Sequence, residues 1–377
     1  MFTNHKIVDL LALLLWSSLI SCESDTSLSN ERVESLKNVG ELEDRGVGDD
    51  STGREEMGGM ADGEMMGGEN IHMETVEGRC ESYEPAATFS ELETEAIPEL
   101  SGLTPSSRNS EYLWAHNDSG HEPILYAIHR SGVLSAMLEL PLRHPERADL
   151  EDIDTAPCPH ILSRDCLWVA DTGDNEEERD DVAIYVIPEP RISSLDEPLL
   201  AAEVERLRAD EEELLILRVE YEEGPADVEA LAVEASGEAL WLIEKIEERE
   251  ARIWQYELDL ERISRDLKPP RERLSAVTRF SSPGVPVSQG RLITAADFSP
   301  DGLRLALRVY TGVYEYRLPA PHMASALPLL SPRRIRLGPL SEPQGEALCY
   351  DEELTLWSAS ESNGASQVIT RQQCAEP

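Results

Sequence analysis

From residue 99 onward, short apolar runs alternate with polar positions at period two, and the runs come in similar sets. Each set opens on one kind of phrase. Asp227-Val228-Glu229-Ala230-Leu231 is the clearest, Asp149-Leu150-Glu151-Asp152-Ile153 has the same form, and Gln344-Gly345-Glu346-Ala347-Leu348 is close to it. Glu99-Leu100-Ser101-Gly102-Leu103 and Thr294-Ala295-Ala296-Asp297-Phe298 are looser copies. A second run follows, built on Leu-Trp or its equivalent: Leu113-Trp114, Leu167-Trp168, Leu240-Trp241, Leu303-Arg304-Leu305 and Leu356-Trp357. A third alternates again, as in Ile184-Tyr185-Val186, Ile253-Trp254-Gln255-Tyr256 and Val313-Tyr314-Glu315-Tyr316. Short strands repeating every roughly 40–50 residues are the pattern of β-propeller blades, each too small to bury its faces until neighbours stack on it. The pattern predicts an all-β fold, a single β-propeller over residues 80–377 with five blades. Six is the reserve count, should another blade lie between Glu257 and Gly290.

The last copy has room for only three strands, 346–350, 354–358 and 367–370. Ala86-Ala87-Thr88-Phe89-Ser90 would supply the missing outer strand, so that strands from both termini close the circle. Between Glu203 and Leu217, helix-forming residues predict a short helical excursion before the strand Leu217–Tyr221.

The segment before residue 80 has a different character. His5 and Lys6 precede an apolar stretch from Leu10 to Ile20, the form of a secretory signal rather than a membrane span. Its ending, Leu19-Ile20-Ser21-Cys22, resembles the bacterial lipoprotein box, which implies acylation of Cys22 and tethering to a membrane. Glu23 replaces the aspartate of the usual inner-membrane retention signal, so the expected location is the outer membrane or cell surface, or the periplasm if retained. A cleaved, non-lipidated signal is the alternative. Residues 23–79, rich in Glu, Asp, Gly and Met, have no strand or helix period and predict a disordered acidic tether.

The 377 residues carry 75 acidic against 33 basic side chains, a formal charge of −42. That balance repels nucleic acid, which is excluded as a partner, and attracts cations. A solvated acidic surface accounts for much of it without any ligand. Of the six cysteines, Cys80 and Cys374 begin and nearly end the folded region, so a disulfide between them would close the ring. Cys158 and Cys166 flank one hairpin and can pair locally, while Cys349 reads as a buried thiol; other pairings stay open.

Innermost propeller strands run along the central axis, so residues at their starts converge on one face. Superposing the five copies brings Glu99, Glu151, Glu229, Asp297 and Glu346 into one ring, with Asp149, Asp171 and Asp227 beside it. Gathered carboxylates raise one another's pKa or recruit a cation, and oxygen ligands in number suit Ca²⁺. Second-strand ends add Asp118, Asp174, Asn175, Lys245, Arg308 and Glu361 as candidate ligand-binding groups, Lys245 and Arg308 being the natural counter-charges. The competing reading is that such residues cap strand amides and turns. Trp114, Trp168, Trp241 and Trp357 recur at one blade position and predict inter-blade packing. There is no Gly-x-Ser-x-Gly elbow, phosphate loop or His-Glu-x-x-His.

Glu99-Leu100-Ser101-Gly102-Leu103, Leu113-Trp114, Asp118 and Asp149-Leu150-Glu151-Asp152-Ile153 resemble the opening of the SdiA-regulated propeller family. The Asp-x-Glu-x-Leu copies and Glu361 resemble the phytase-like, or esterase-like, propellers. The latter resemblance implies Ca²⁺ held by acidic loops at the channel mouth and an ester-hydrolase activity. Phosphate-gripping cations of that family are represented here only by Lys245, Arg308 and Arg179. Three functions follow: a Ca²⁺-binding exported monomer that presents its mouth to a ligand or envelope protein; a Ca²⁺-dependent phosphoester or ester hydrolase; and a structural envelope lipoprotein.

Overall fold

The computed structural model describes residues 80–192, 204–247, 249–287, 289–336, 344–361 and 367–375. The expected signal, Cys22 with its acylation, and the acidic tether lie outside the described residues. Among those described, no helix is long and apolar enough to cross a membrane.

The first strand among the described residues is β1 (Ala87–Glu91), set aside for last. The first blade is β2 (Leu100–Pro105), β3 (Tyr112–Asn117), β4 (Ile124–His129) and β5 (Leu134–Glu139), an antiparallel meander from the axis outward. The second runs β6 (Leu150–Pro157), β7 (Asp165–Asp171) and β8 (Val182–Pro188). The chain then crosses back to lay β9 (Glu205–Arg208) parallel on β5, and returns as β10 (Leu215–Tyr221) to complete the second blade. In the third, β11 (Val228–Val233), β12 (Ala239–Glu244) and β13 (Ala251–Glu257) are followed by one helical turn, α1 (Leu260–Ile263). Next β14 (Glu272–Leu274) lies parallel on β10, and β15 (Thr278–Phe280) finishes the blade. The fourth is β16 (Ile293–Phe298), β17 (Arg304–Val309), β18 (Gly312–Arg317) and β19 (Arg333–Ile335). The fifth is β20 (Gly345–Tyr350), β21 (Leu356–Ser360) and β22 (Val368–Gln372), with β1 pairing antiparallel to β22 as its outer strand. Five sheets result. The segment 257–290 makes no sixth blade; it donates β14 to the second and β15 to the third. The expected helical excursion after 203 is instead the strand β9, whose edge pairing outweighs local helix propensity.

Inner strands β2, β6, β11, β16 and β20 each touch the next around the axis, and β20 touches β2. The apolar core is accordingly five clusters, one at each blade interface. Trp114, Trp168, Trp241 and Trp357 sit at the same position of the second strand, opposite Thr104, Asp154, Ala232 and Cys349, and all are buried. Each indole N–H is satisfied: Trp114 by Glu189, Trp168 by the Ala156 carbonyl, Trp241 by Glu234 and Trp357 by Asp351. The fourth blade has Ala306 at that position. Its interface with the fifth is built on a buried carboxylate instead. Glu315 accepts from the Tyr83 hydroxyl (2.7 Å), the Tyr350 hydroxyl (3.0 Å) and the Arg333 guanidinium (2.7 Å), with Arg304 at 3.8 Å. The N-terminal segment thus fills the place of the missing tryptophan.

Cys158 and Cys166 are joined across the β6–β7 hairpin, and Cys349 is a buried thiol. The expected Cys80–Cys374 bond is not formed here. Both are thiols, Cys80 donating to the Ser82 carbonyl and Cys374 to that of Ala375, where Tyr83 pairs with Cys374 and the Ala375 N–H donates to the Ser82 carbonyl. Burial pushes the Cys374 thiol up to about 12, Cys80 adding to the shift, so it is a poor nucleophile at neutral pH. Given a small-molecule disulfide as oxidant, the folded protein is expected to lose two hydrogens and link Cys80 to Cys374. The linked peptide pair would be recovered in a non-reducing digest, and the melting midpoint would rise by about 5–10 °C. Recovery of Cys80 unlinked, or linked to Cys349, would contradict this juxtaposition.

Candidate metal centre at the channel mouth

Every inner strand carries a β-bulge one residue after its start: between Leu100 and Gly102, Leu150 and Asp152, Val228 and Ala230, Ile293 and Ala295, and Gly345 and Ala347. The bulged residue escapes the ladder and its side chain is re-aimed. These residues are Ser101, Glu151, Glu229, Thr294 and Glu346, so the ring contains three glutamates and two hydroxyls. The Ser101 hydroxyl donates to the Glu151 carbonyl (2.8 Å) and that of Thr294 to the Gly345 carbonyl (2.9 Å), tying each to the next blade.

Two members of the expected ring are therefore corrected. Glu99 stands one residue before its strand, level with Asp149 and Asp227, and is exposed with its carboxylate 3.2 Å from His121. Asp297 lies three residues beyond the fourth blade's bulge, level with Asp154, and with it lines a cavity of about 700 Å³ at the other end of the inner strands. The fourth copy misleads because it has Thr294 at the bulge and no tryptophan to fix its register.

The glutamates meet further carboxylates from the strand starts and second-strand ends. Asp118, Asp149 and Glu151 each offer an oxygen within 4.8 Å of the others, and so do Glu151, Asp227 and Glu229. Glu151 belongs to both sets. It is 2% exposed, yet its Oε1 has no hydrogen-bond partner, and Asp149 Oδ1 is likewise unpartnered. Gly173 makes room for them: a Cβ there would lie 1.9 Å from Glu151 Oε1 and 2.5 Å from the Asp149 carboxyl carbon.

Burial, then the charges of Glu229, Asp118 and Asp149, push the Glu151 carboxyl well above the ordinary range. Burial also raises Asp149 to about 6 and Glu346 to about 7, and raises Asp227 and Glu229, although Lys245 pulls Glu229 the other way. Lys245 is hydrogen-bonded to Glu229, with its ammonium 5.4 Å from the Tyr310 ring centroid. Burial works against that ammonium, but Glu229, Tyr310 and Glu346 outweigh it and hold its proton. On the fifth blade the Gln344 amide donates to Glu346 (2.8 Å) and Glu361 (2.9 Å). Burial and the charges of Asp118 and Glu99 raise Glu361 to about 7.

Several expected ligands are occupied by the protein itself. Asp171 accepts from Arg179 (2.9 Å), the Tyr185 hydroxyl (3.0 Å) and the Asp149 N–H (3.0 Å), so it buttresses the site from behind. Asp174 caps its turn, taking the N–H groups of Glu178 and Arg179, while its own N–H donates to Asp227. Asn175 is exposed on that turn. Arg308 is fully buried, its guanidinium lying where a Cβ of residue 345 would be, so only glycine fits there.

Sequence reasoning passed over Asp152 and Asp154 as functional groups. Asp152 accepts from the Leu231 (2.9 Å), Ala296 (3.2 Å) and Ile153 (2.9 Å) N–H groups, and Asp154 from Val233 (2.8 Å) and Thr155 (2.6 Å). Asp297 takes the Tyr350 N–H (2.6 Å) in the same manner. Burial pushes Asp152 and Asp297 well up, Asp297 further by the Asp154 charge, and puts Asp154 at about 7. The signal was present, since Asp152 and Asp154 share a strand with Glu151, but only the neighbouring blades reveal their partners.

No protein-family model matches the chain, and no curated protein matches it in sequence. Solved structures similar to it include the apo soluble aldose sugar dehydrogenase from Escherichia coli, at 11% identity and TM-score 0.42, covering 78% of this chain and 100% of that one. The PQQ-bound aldose sugar dehydrogenase from Streptomyces coelicolor gives 11% identity and TM-score 0.41, covering 78% and 98%. A gluconolactonase from Xanthomonas campestris gives 13% identity and TM-score 0.39, covering 79% and 91%.

The raised carboxyls fix the sign of the pH dependence. In the unfolded chain they ionise near pH 4, whereas the folded protein holds the proton of Asp149 to about pH 6 and those of Glu346, Glu361 and Asp154 to about pH 7, with Glu151, Glu229, Asp227, Asp152 and Asp297 shifted the same way. It therefore binds more protons above pH 4 and loses stability as pH rises through that window. Glu244 runs the other way. Burial would raise it, but Arg252 and Arg249 hold it low, and its contribution is lost only at more acid pH. The metal-free protein is expected to melt higher at pH 5 than at pH 8, by about 5 °C or more. A flat or rising profile over that range would mean the mouth and axis carboxyls are not desolvated as described.

Proposed function

We propose that the protein is a Ca²⁺-binding propeller whose metal-loaded mouth is presented to a ligand or envelope protein. The single observation that carries this reading is Glu151. Glu151 belongs to both three-carboxylate sets, and its Oε1, buried without a donor, costs stability unless a cation satisfies it. The donors are all hard oxygens, with no sulfur or imidazole among them, which favours Ca²⁺ over transition metals. Asp118, Asp149, Glu151, Asp227 and Glu229 are the residues that would hold it. Bound metal would neutralise charge that the protein otherwise meets by protonation, and would leave a cationic centre open to carboxylate or phosphate groups of a partner.

The hydrolase alternative needs cations free to grip an anion. Lys245 is paired with Glu229 and Arg179 with Asp171, so these two cations serve the site's own framework. That favours binding over turnover. The Leu19–Cys22 segment supports a lipid-anchored, exported protein, with the acidic stretch 23–79 as its tether.

Calorimetric titration of the chelator-treated full chain with Ca²⁺ is the test. Saturating metal, about 100-fold above Kd, is expected to add roughly 3 kcal/mol and raise the melting midpoint by about 5–10 °C. Glu151→Gln should weaken binding by at least about 10-fold. Absence of both heat and thermal shift at millimolar Ca²⁺ would remove the metal. Phosphoester or aryl-ester turnover that is lost in Glu151→Gln would move the assignment to the hydrolase.

A further inference from the structure

Resting on the Ca²⁺ reading of the mouth, we propose that Lys245 is a tethered competitor for the metal, an ammonium that must leave Glu229 before the Glu151–Asp227–Glu229 set can take a cation. The two carboxylate sets are not equivalent. Asp118, Asp149 and Glu151 form the set that includes the acid with an unpartnered Oε1, and among the described residues none of the three carboxylates accepts a hydrogen bond from a basic side chain. Glu229, 3% exposed, is instead occupied by the ammonium of Lys245, whose side chain is 12% exposed. A dication and this lysine therefore contend for the same carboxylate.

The surroundings give the displaced ammonium somewhere to go. The Tyr310 ring lies 5.4 Å from Nζ, a cation–π seat that costs little when the pair separates. Glu346, the third bulge carboxylate, acts electrostatically on the same lysine. Swinging from Glu229 toward the Tyr310 ring gives up the hydrogen-bonded ion pair, opens Glu229 to metal and leaves the amine more reactive. The ammonium thereby stabilises the metal-free mouth and weakens its affinity for the ion.

The test uses Ca²⁺ alone as probe on the full chain. In Lys245→Gln, calorimetric Kd for Ca²⁺ is expected to fall by about 10-fold or more, because a buried ion pair no longer has to be broken. The metal-free variant should melt lower and show a larger Ca²⁺-induced shift. Lys245→Arg, which keeps the charge, should retain the wild-type Kd or a weaker one. A second measurement needs no variant. Amine acylation of the wild type, followed by peptide mass analysis, should show labelling of Lys245 increasing several-fold on Ca²⁺ addition as the ammonium leaves Glu229. Wild-type Ca²⁺ binding with unchanged or weaker affinity in Lys245→Gln, or with no change in Lys245 labelling, would overturn the competition while leaving the metal site standing. Loss of Ca²⁺ heat in wild type and variant alike would instead overturn the metal reading beneath it.

Discussion

The innermost strand of a propeller blade has one edge with no strand to pair with, and the structure depends on how that edge is satisfied. Its N–H groups face an axis too narrow for another strand, and leaving them bare would cost as much as losing the hydrogen bonds outright. Here the acceptors are carboxylates from neighbouring blades. Asp152 of β6 takes the Leu231 and Ala296 N–H groups, one from each of two other blades, Asp154 takes Val233, and Asp297 of β16 takes Tyr350. These bonds join the blades at the axis, while the tryptophans and the Glu315 cluster join them farther out. Burying three acids this way lifts their pKa values, and protonation offsets part of the cost.

The same strands make the mouth. Because all five carry the bulge at one position, five side chains turn inward at one level, and the choice of residue there decides what each blade contributes. A hydroxyl, as in Ser101 and Thr294, closes onto the next blade's carbonyl and is finished. A glutamate reaches further and cannot be satisfied by a carbonyl, since an ionised carboxylate only accepts. Glu229 finds Lys245 and Glu346 finds Gln344; Glu151 Oε1 finds nothing. Structural and chemical roles thus share a single backbone device.

Much of the fold was legible because the repeat is written in residues whose reasons are local: period-two alternation, a tryptophan at one level, a phrase that opens each inner strand. What could not be read depends on neighbours distant in sequence. β9 and β14 pair with strands of other blades, and no local pattern announces a parallel strand of three or four residues. Asp297 resembled the ring carboxylates only because its blade lacks both the bulge glutamate and the tryptophan that would set its register. The candidate site was legible in composition, but the division of labour within it was not. Asp171 and Asp174 look like ligands in sequence and are buttress and turn cap in space, whereas Asp118 and Glu151 have the same composition and a different fate.

Glu151 and Asp152 make that point most sharply, being adjacent in sequence, both acidic, both almost wholly buried and both raised in pKa. Neither charge, burial nor titration separates them. Partner accounting does. Asp152 has three N–H donors and is complete, so a cation there would have to break backbone bonds that hold three blades together. Glu151 has an oxygen with no donor, against a glycine that keeps the space before it clear. The bulge lies between Leu150 and Asp152 and sends these successive acids to opposite fates, one into the framework and one into the opening. A carboxylate serves function in this protein where the backbone has not already claimed it.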